Sequence, residues 1–566
     1  MRNIDIKQRK LRKGKAKWHI YLPTLIISFL GIFLYFYATD KVLLKHALLF
    51  IFKDKSVQIT YETFDIYIDE LVKSEYEDQI IIDLNRVMFN EVPRFNIVEN
   101  ENEADAKIDY GVDENTILTE YLLPVGHIYW VNSSISSEDL MEGIFSTFIS
   151  SSTYQEYENF LATYYPDIHL EVVDDIVESL EGVEGDSIGL VKPEELSKEL
   201  KLFKVDGEYY LDTFDCGLAV SLTIQSKQYN LPFIANIIRR NITINTDDFN
   251  VSSVAKVNMT GVTAITRRLG WTIDQEQDYD YPAEKIGEFL ADADLTHVSN
   301  EISFVEGCTS YSGMRFCSRP EYIETLLSSG VDIVELTGNH NNDYGSTYNT
   351  ETINTYIEEG IAYFGGGLNA EDAAKAYITE IDGSRIAFLG YNYYDSMLGT
   401  GAIASTSRAG ANSYSASKVK ENIEKIRDEV DIIIVDFQFR ECYSYPSSDV
   451  IFPVCYKPVY KQKETFRQAI DYGADIVIGT QAHQPQTYEL YEDGVIFYGL
   501  GNLFFDQTPW IGTRQGMILT HYFKDGELIQ TRITPTMYDS ELQVEVANED
   551  DAILLLELLE TARESL

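Results

Sequence analysis

Hydrophobic and polar positions follow three distinct patterns along this chain. Ile20–Ala38 is a nearly unbroken apolar run, interrupted only by Pro23, Thr24, Ser28 and Gly31. A helix rising 1.5 Å per residue crosses a bilayer in about 20 residues, so residues 19–39 are expected to span a membrane. Residues 56–250 mix strand-like and helix-like stretches: Gln79–Ile82 and His127–Val131 read as strands, Ser137–Phe148 and Pro193–Leu202 as helices. This alternation predicts an α/β domain.

From residue 252 the rhythm becomes regular. Val254–Ile265, Leu295–Ile302, Val331–Leu336, Ile361–Phe364, Asp431–Phe437 and Asp475–Ile478 are short apolar runs rich in β-branched residues, the signature of buried strands. Between them, Pro282–Ala291, Arg319–Ser329, Ser346–Glu359, Ser417–Glu429 and Tyr460–Tyr472 carry helical periodicity. After Gln486 come two hairpins, Thr487–Tyr491 with Val495–Tyr498 and Gly516–Phe523 with Glu527–Thr534. Two stacked sheets wrapped by helices would produce this order. The tail, 541–566, predicts a terminal amphipathic helix.

Charge sets the topology. The net charge is −46 over 566 residues, yet residues 1–18 carry eight basic side chains against Asp5 alone, leaving −53 for the remainder. A basic flank stays cytoplasmic, which places everything after Thr39 outside the cell. A cleaved leader is the rival reading, but Tyr37-Ala38-Thr39 is a poor small-residue cleavage site, so an uncleaved single-pass anchor is expected. The acidic body repels nucleic acid and attracts cations or basic partners. Five cysteines suit an exported protein: Cys308 with Cys317 and Cys442 with Cys455 bracket short loops and are expected to pair, leaving Cys216 buried.

Candidate chemistry is concentrated where buried strands end. The strings LTGNHNNDYG (336–345), GADIVIGTQAHQPQ (473–486) and YGLGNLFFDQ (498–507) each follow an apolar run. In open α/β sheets ligands bind beyond the carboxyl ends of the strands, so His340 and His483, two of only eight histidines, are placed to meet on one rim. Read singly, Asn339, Asn502 and Gly338, Gly345, Gly479, Gly499 and Gly501 could all be turn formers.

Taken in order over 252–540, these strings resemble the bacterial capsule-synthesis CapA (PgsA-like) family, tied to poly-γ-glutamate capsules. The match covers Asn300-Glu301, Gly338-Asn339-His340 with Asp343-Tyr344-Gly345, Glu441, Gly479 to His483 and Gly499 to Asn502. The resemblance implies a four-layer α/β/β/α calcineurin-like metallophosphatase fold for this domain. It implies a weaker likeness of 56–250 to a degenerate solute-binding-protein domain. It also implies a loop-borne site with His340, His483 and Glu441 in catalytic roles and a divalent ion (Mn, Zn, Mg or Fe) held by Asn300, Glu301, Asn339, His340, Glu441 and His483.

Two departures stand out: Gly261-Val262 replaces the family's Gly-Asp, and Gln481 replaces the first histidine of its His-x-His. An amide is a far poorer ligand than imidazole, so the expectation is at most one tightly bound ion, or none. The expected partners are the membrane, an anionic or envelope polymer and other capsule-biosynthesis subunits. Three functions follow: a role in capsule-polymer synthesis, export or anchoring; a metal-dependent hydrolase acting on an envelope polymer; and a catalytically inactive polymer-binding module.

Overall fold

A computed structural model describes residues 63–566 except 90, 112–114, 184, 186, 226–230, 244–248, 250–252, 310–312, 394–400, 441 and 443–452. The apolar run Ile20–Ala38 lies outside the described residues. Among the described residues no helix is long and apolar enough to cross a membrane. The chain forms two compact units between which it passes several times: the first holds residues up to 120 with 156–166 and 219–246, the second 121–155, 167–218 and 247–566.

In the first unit, Phe64–Ile68 pairs in parallel with Phe95–Ile97 and with Ala106–Tyr110, and Leu218–Gln225 runs antiparallel to Ala106–Tyr110. Gln79–Ile82, read above as a strand, lies instead within the helix Ser74–Arg86. Tyr76, Ile80 and Leu84 recur every fourth residue and are all buried, so the helical period outweighs the local β-propensity of three isoleucines.

The N-terminal segments of the second unit correct three more expectations. His127 ends the strand Thr116–His127, and the chain turns at Ile128 and Tyr129 rather than continuing extended. The helix within 137–148 stops at Met141, and Ser146–Ser150 is a strand paired with Ser187–Val191. Pro193–Leu202 is a single 3-10 turn, Pro193–Glu195, followed by the strand Leu200–Leu202. In both cases sheet pairing takes residues that local periodicity assigned to a helix.

The remainder of the second unit is built on two sheets. The first contains β1 (Val254–Thr263), β2 (Leu295–Asn300), β3 (Ile333–Glu335) and β4 (Ala362–Phe364). The second contains β5 (Tyr377–Ile381), β6 (Ser384–Asn392), β7 (Ile432–Gln438), β8 (Ile476–Thr480), β9 (Pro485–Tyr491) and β10 (Gly494–Leu500). The chain then returns to the first sheet as β11 (Gln515–Lys524), β12 (Glu527–Tyr538) and β13 (Val544–Val546). The strand orders are β4-β3-β2-β1-β11-β12-β13 and β5-β6-β7-β8-β10-β9.

Val257 and Met259 of β1, Ile434 of β7, Ile478 of β8 and Phe497 of β10 share one buried core, which lies between the sheets. On the far side of the first sheet, Val298 and Val334 pack with Leu269, Leu326 and Ile353 from helices. On the far side of the second, Val435, Val477 and Ile496 pack with Val419, Ile423 and Phe466. Neighbouring residues such as Ile434 and Val435 therefore face two different cores. That is why these strands read as unbroken apolar runs instead of alternating.

Both expected disulfides are present, Cys308–Cys317 and Cys442–Cys455. Cys216 is half-exposed rather than buried.

Candidate functional site at the strand ends

The carboxyl ends of the two sheets are joined at one point. Gly261 sits at a β-bulge between β1 and β2, and a Cβ there would lie 2.1 Å from the Gly501 carbonyl oxygen. Glycine therefore permits the contact. The Val262 N–H donates to that same oxygen at 2.9 Å, and the Leu503 N–H donates to the Val262 carbonyl at 2.8 Å. The loop after β10 is thereby fastened to the end of β1, and it carries Asn502, Phe505 and Asp506.

His483 is buried at the turn after β8. Its Nδ1 lies 2.9 Å from Asn502 Oδ1, and Asn502 Nδ2 donates back to the His483 carbonyl at 3.1 Å and to the Thr513 carbonyl at 3.0 Å. Asn502 is thus a clamp on the histidine, with ordinary backbone geometry. Burial pushes the His483 pKa down to about 3, so the ring is neutral at pH 7. Gln481 and His483 both have positive φ, 78° and 22°, a costly conformation for residues with side chains.

His340 follows β3. Its backbone pairs with Ile302, and its Nδ1 lies 2.7 Å from Asp343 Oδ2. That carboxylate oxygen also accepts the Phe316 N–H at 2.8 Å, tying the Gly-Asn-His loop to the Cys308–Cys317 loop. The Phe316 ring packs on His340, 4.3 Å between centroids, and the Phe505 ring packs on His483, 5.0 Å between centroids. The Arg267 guanidinium covers both phenylalanines at 4.9 and 4.5 Å, held by Asp506 through Nε at 2.7 Å. Val262, Ala264, Ile302, Phe316 and Phe505 form one small apolar cluster beneath the two imidazoles.

The other expected ligands are placed differently. The Asn300 amide donates to the Ile302 carbonyl and to the Tyr356 hydroxyl, both at 2.7 Å, so it serves the fold. Glu301 is buried, and its Cα faces Gly338, where a Cβ would approach to 2.4 Å. Asn339 is half-buried; its N–H lies 2.9 Å from the Gln438 amide oxygen once that amide is turned to satisfy both its ends. Gln481 joins a buried amide cluster, its side-chain amide 2.5 Å from that of Gln438, with Asn392 on the other side. Glu441 lies outside the described residues. Gly338, Gly479 and Gly499 have ordinary negative φ, and close backbone or side-chain approach is what requires glycine there; only Gly345 and Gly501 have the positive φ of a turn former.

The donor chemistry fits a metal only in part. Each histidine has an oxygen at Nδ1, the arrangement that leaves Nε2 as the ligating nitrogen. Yet among the described residues no group of three or more His, Cys, Asp or Glu side chains could hold an ion. Where the family's acidic and imidazole ligands would stand, there are the buried Val262 and an amide network. The described donors do not complete a cage.

Sequence reasoning missed Arg267, Phe316, Gln438 and Asp506. Asp506 lies inside the third motif string and was legible there. Phe316 gave no signal beyond its place next to Cys317. A second feature also went unread: His297 of β2, Glu335 of β3 and Asp436 of β7 are fully buried in the strands beneath the site. His297 Nε2 lies 3.1 Å from Asp436 Oδ2, and Ser299 Oγ donates to Glu335 Oε2 at 2.6 Å. Burial, reinforced by the Asp436 charge, raises the Glu335 pKa to about 7.

A two-sheet α/β domain with paired histidines on the loops after its parallel strands defines the class of protein. Residues 256–507 match the family described as Bacterial capsule synthesis protein PGA_cap. The capsule biosynthesis protein CapA of Bacillus anthracis is 28% identical over 212 residues, 37% of this chain and 48% of that protein. The PGA biosynthesis protein CapA of Bacillus subtilis (strain 168) is 26% identical over 216 residues, 38% of this chain and 53% of that protein. The chain spans about half the length of these curated relatives.

Proposed function

We propose that this chain is a membrane-anchored, extracellular protein acting in the synthesis, export or anchoring of a capsule-type polymer, with poly-γ-glutamate the first polymer to test. The observation that carries the reading is the family match over 256–507, whose motifs coincide with the histidine site. The B. subtilis relative is described as a PGA biosynthesis protein, which supplies the polymer. Two disulfides support an oxidising compartment outside the cytoplasm. In this role the strand-end loops present a neutral, partly apolar pocket floor, and cations bridge the acidic body to an acidic polymer. The test is deletion of the chain from its host, with cell-bound acidic polymer measured before and after restoring it. Loss and recovery of polymer are expected; unchanged polymer would remove the reading.

A metal-dependent hydrolase is the second reading, favoured by one feature: both imidazoles have Nδ1 engaged by an oxygen. The bound ion would polarise an ester, phosphoester or amide and activate water. His340 and His483 would offer Nε2, with Asp343 and Asn502 orienting the rings. Stoichiometric metal in the purified protein, lost in His340→Ala, supports this reading over a binding module; equal metal in both proteins counts against it.

A further inference from the structure

The chain carries 91 acidic residues against 45 basic ones, yet the second unit contains a cavity of about 330 Å³ walled by three cations, Lys201, Lys204 and Arg532. That volume falls at the lower end of the roughly 300–1,000 Å³ of small-molecule sites. None of the residues of the histidine site lines it.

Two of the three cations, Lys201 and Lys204, make no ion pair among the described residues. Lys201 is 91% buried and donates to the Trp130 carbonyl, and among the described residues it has no carboxylate within ion-pair distance. Lys204, on the short strand paired with Ser134–Ile135, has no carboxylate partner among the described residues either. Arg532 holds Asp212, but that one carboxylate also receives Lys256 at 2.8 Å and the Tyr522 hydroxyl at 3.1 Å. The Arg532 Nε–H has no partner among the described residues, and neither does the Nε2 group of Gln530, which is 1% exposed and lines the same cavity.

Burial and the neighbouring Arg532 both push the Lys204 pKa down, and burial brings that of Lys201 to about 8. At about 8, Lys201 is still mainly protonated at pH 7. Holding like charges together in a partly desolvated wall is costly unless an anion is there to meet them. The one carboxylate on the wall, Glu549, begins the C-terminal helix.

We propose that this cavity is an oxyanion-binding site, taking a carboxylate or phosphate group through Lys201 and Lys204, with Gln530 as a neutral donor. Lysine ammonium groups serve either oxyanion as point charges, whereas Arg532 is already committed to Asp212. The site is independent of the function proposed above, and its failure would leave that reading untouched.

The test is calorimetric titration of the purified full chain with inorganic phosphate and, separately, with glutarate, at fixed ionic strength maintained by chloride. Saturable binding of at least one is expected, weakened about tenfold or more in Lys204→Ser and unchanged in the surface control Lys420→Ser. Phosphate alone binding, or glutarate alone binding, upholds the site and identifies its source. Lys201→Met is the stronger variant; if it does not fold, Lys204→Ser, at a less buried position, carries the test. Absence of saturable binding for both anions, or binding that Lys204→Ser does not weaken, would overturn the proposal.

Discussion

Phe316 and Phe505 meet edge to face with ring centroids 6.0 Å apart, and each supports one histidine of the candidate site. The two rings come from loops almost two hundred residues apart in sequence. What brings them together is the fastening of the β1 end to the loop after β10, together with the disulfide that fixes the residue next to Phe316. The imidazoles thus share an apolar floor where a two-metal site would need carboxylates.

The Cys308–Cys317 bridge should therefore matter beyond its own loop. Closing a loop of this length stabilises by roughly 2–4 kcal/mol on the chain-entropy view. Cys317→Ser in a Cys308→Ser background is expected to lower the melting temperature. Phe316→Ala with the disulfide intact should also destabilise, by about 3–5 kcal/mol for a buried aromatic. Calorimetry of the two variants checks both; a Phe316→Ala protein as stable as the parent would mean that the ring is not packed as described.

The motif glycines give a sharper test. A Cβ on Gly479 would lie 1.9 Å from the Tyr498 carbonyl oxygen, on the neighbouring strand β10. Gly479→Ala must shift β8 against β10 and should cost about 3 kcal/mol or more. Gly360, at a helix C-terminus with φ 80° and open space around it, should lose only about 1–2 kcal/mol on the same change. Denaturant midpoints that rank the two variants in the opposite order would contradict this geometry.

How far the sequence could be read follows from the same physics. Most strands of 254–538 were legible because they are buried on both faces, whereas the hairpin Tyr377–Ile381 with Ser384–Asn392 and the helix Arg267–Glu276 went unread. Ser346–Glu359 was read to the residue. In residues 56–250 the expectations failed at Gln79–Ile82 and at 142–148, where a short apolar run fits strand and helix equally and only pairing partners decide. His340 and His483 stood out because histidines are few and follow buried strands. Phe316, Arg267 and the amide pair Gln438–Gln481 did not, since their roles depend on contacts across the fold. The asparagines were legible as motif members but not as bond makers: Asn300 turns to Tyr356, and Asn502 clamps His483.

The apolar run Ile20–Ala38 and its basic flank predict a cytoplasmic N-terminus with the remainder outside. Protease added to intact cells should digest the chain beyond Thr39 and spare an N-terminal tag. Protection of the large domains from protease would contradict the topology and weaken the proposed extracellular role.

Buried titratable groups should give stability a maximum in pH. Glu335 keeps its proton up to about pH 7 in the folded chain but ionises near 4.5 when exposed, so its contribution is complete below pH 4.5 and is lost as pH rises through 7. Burial also raises the pKa of Asp436 beside it, adding a loss of the same sign. His521 works in the opposite sense. Burial lowers its pKa to about 3 against 6.5 when exposed, so stability falls as pH drops from 6.5 toward 3. Glu335→Gln keeps an acceptor for the Thr337 N–H and turns its amide N–H toward Ser299 Oγ, which accepts, while removing the charge. It should flatten the alkaline limb by roughly 3 kcal/mol, the equivalent of the shift at 1.36 kcal/mol per unit, and leave the acid limb in place. Urea unfolding across pH 4–9 measures both limbs, and an alkaline limb equally steep in parent and variant would show that folding does not raise the Glu335 pKa.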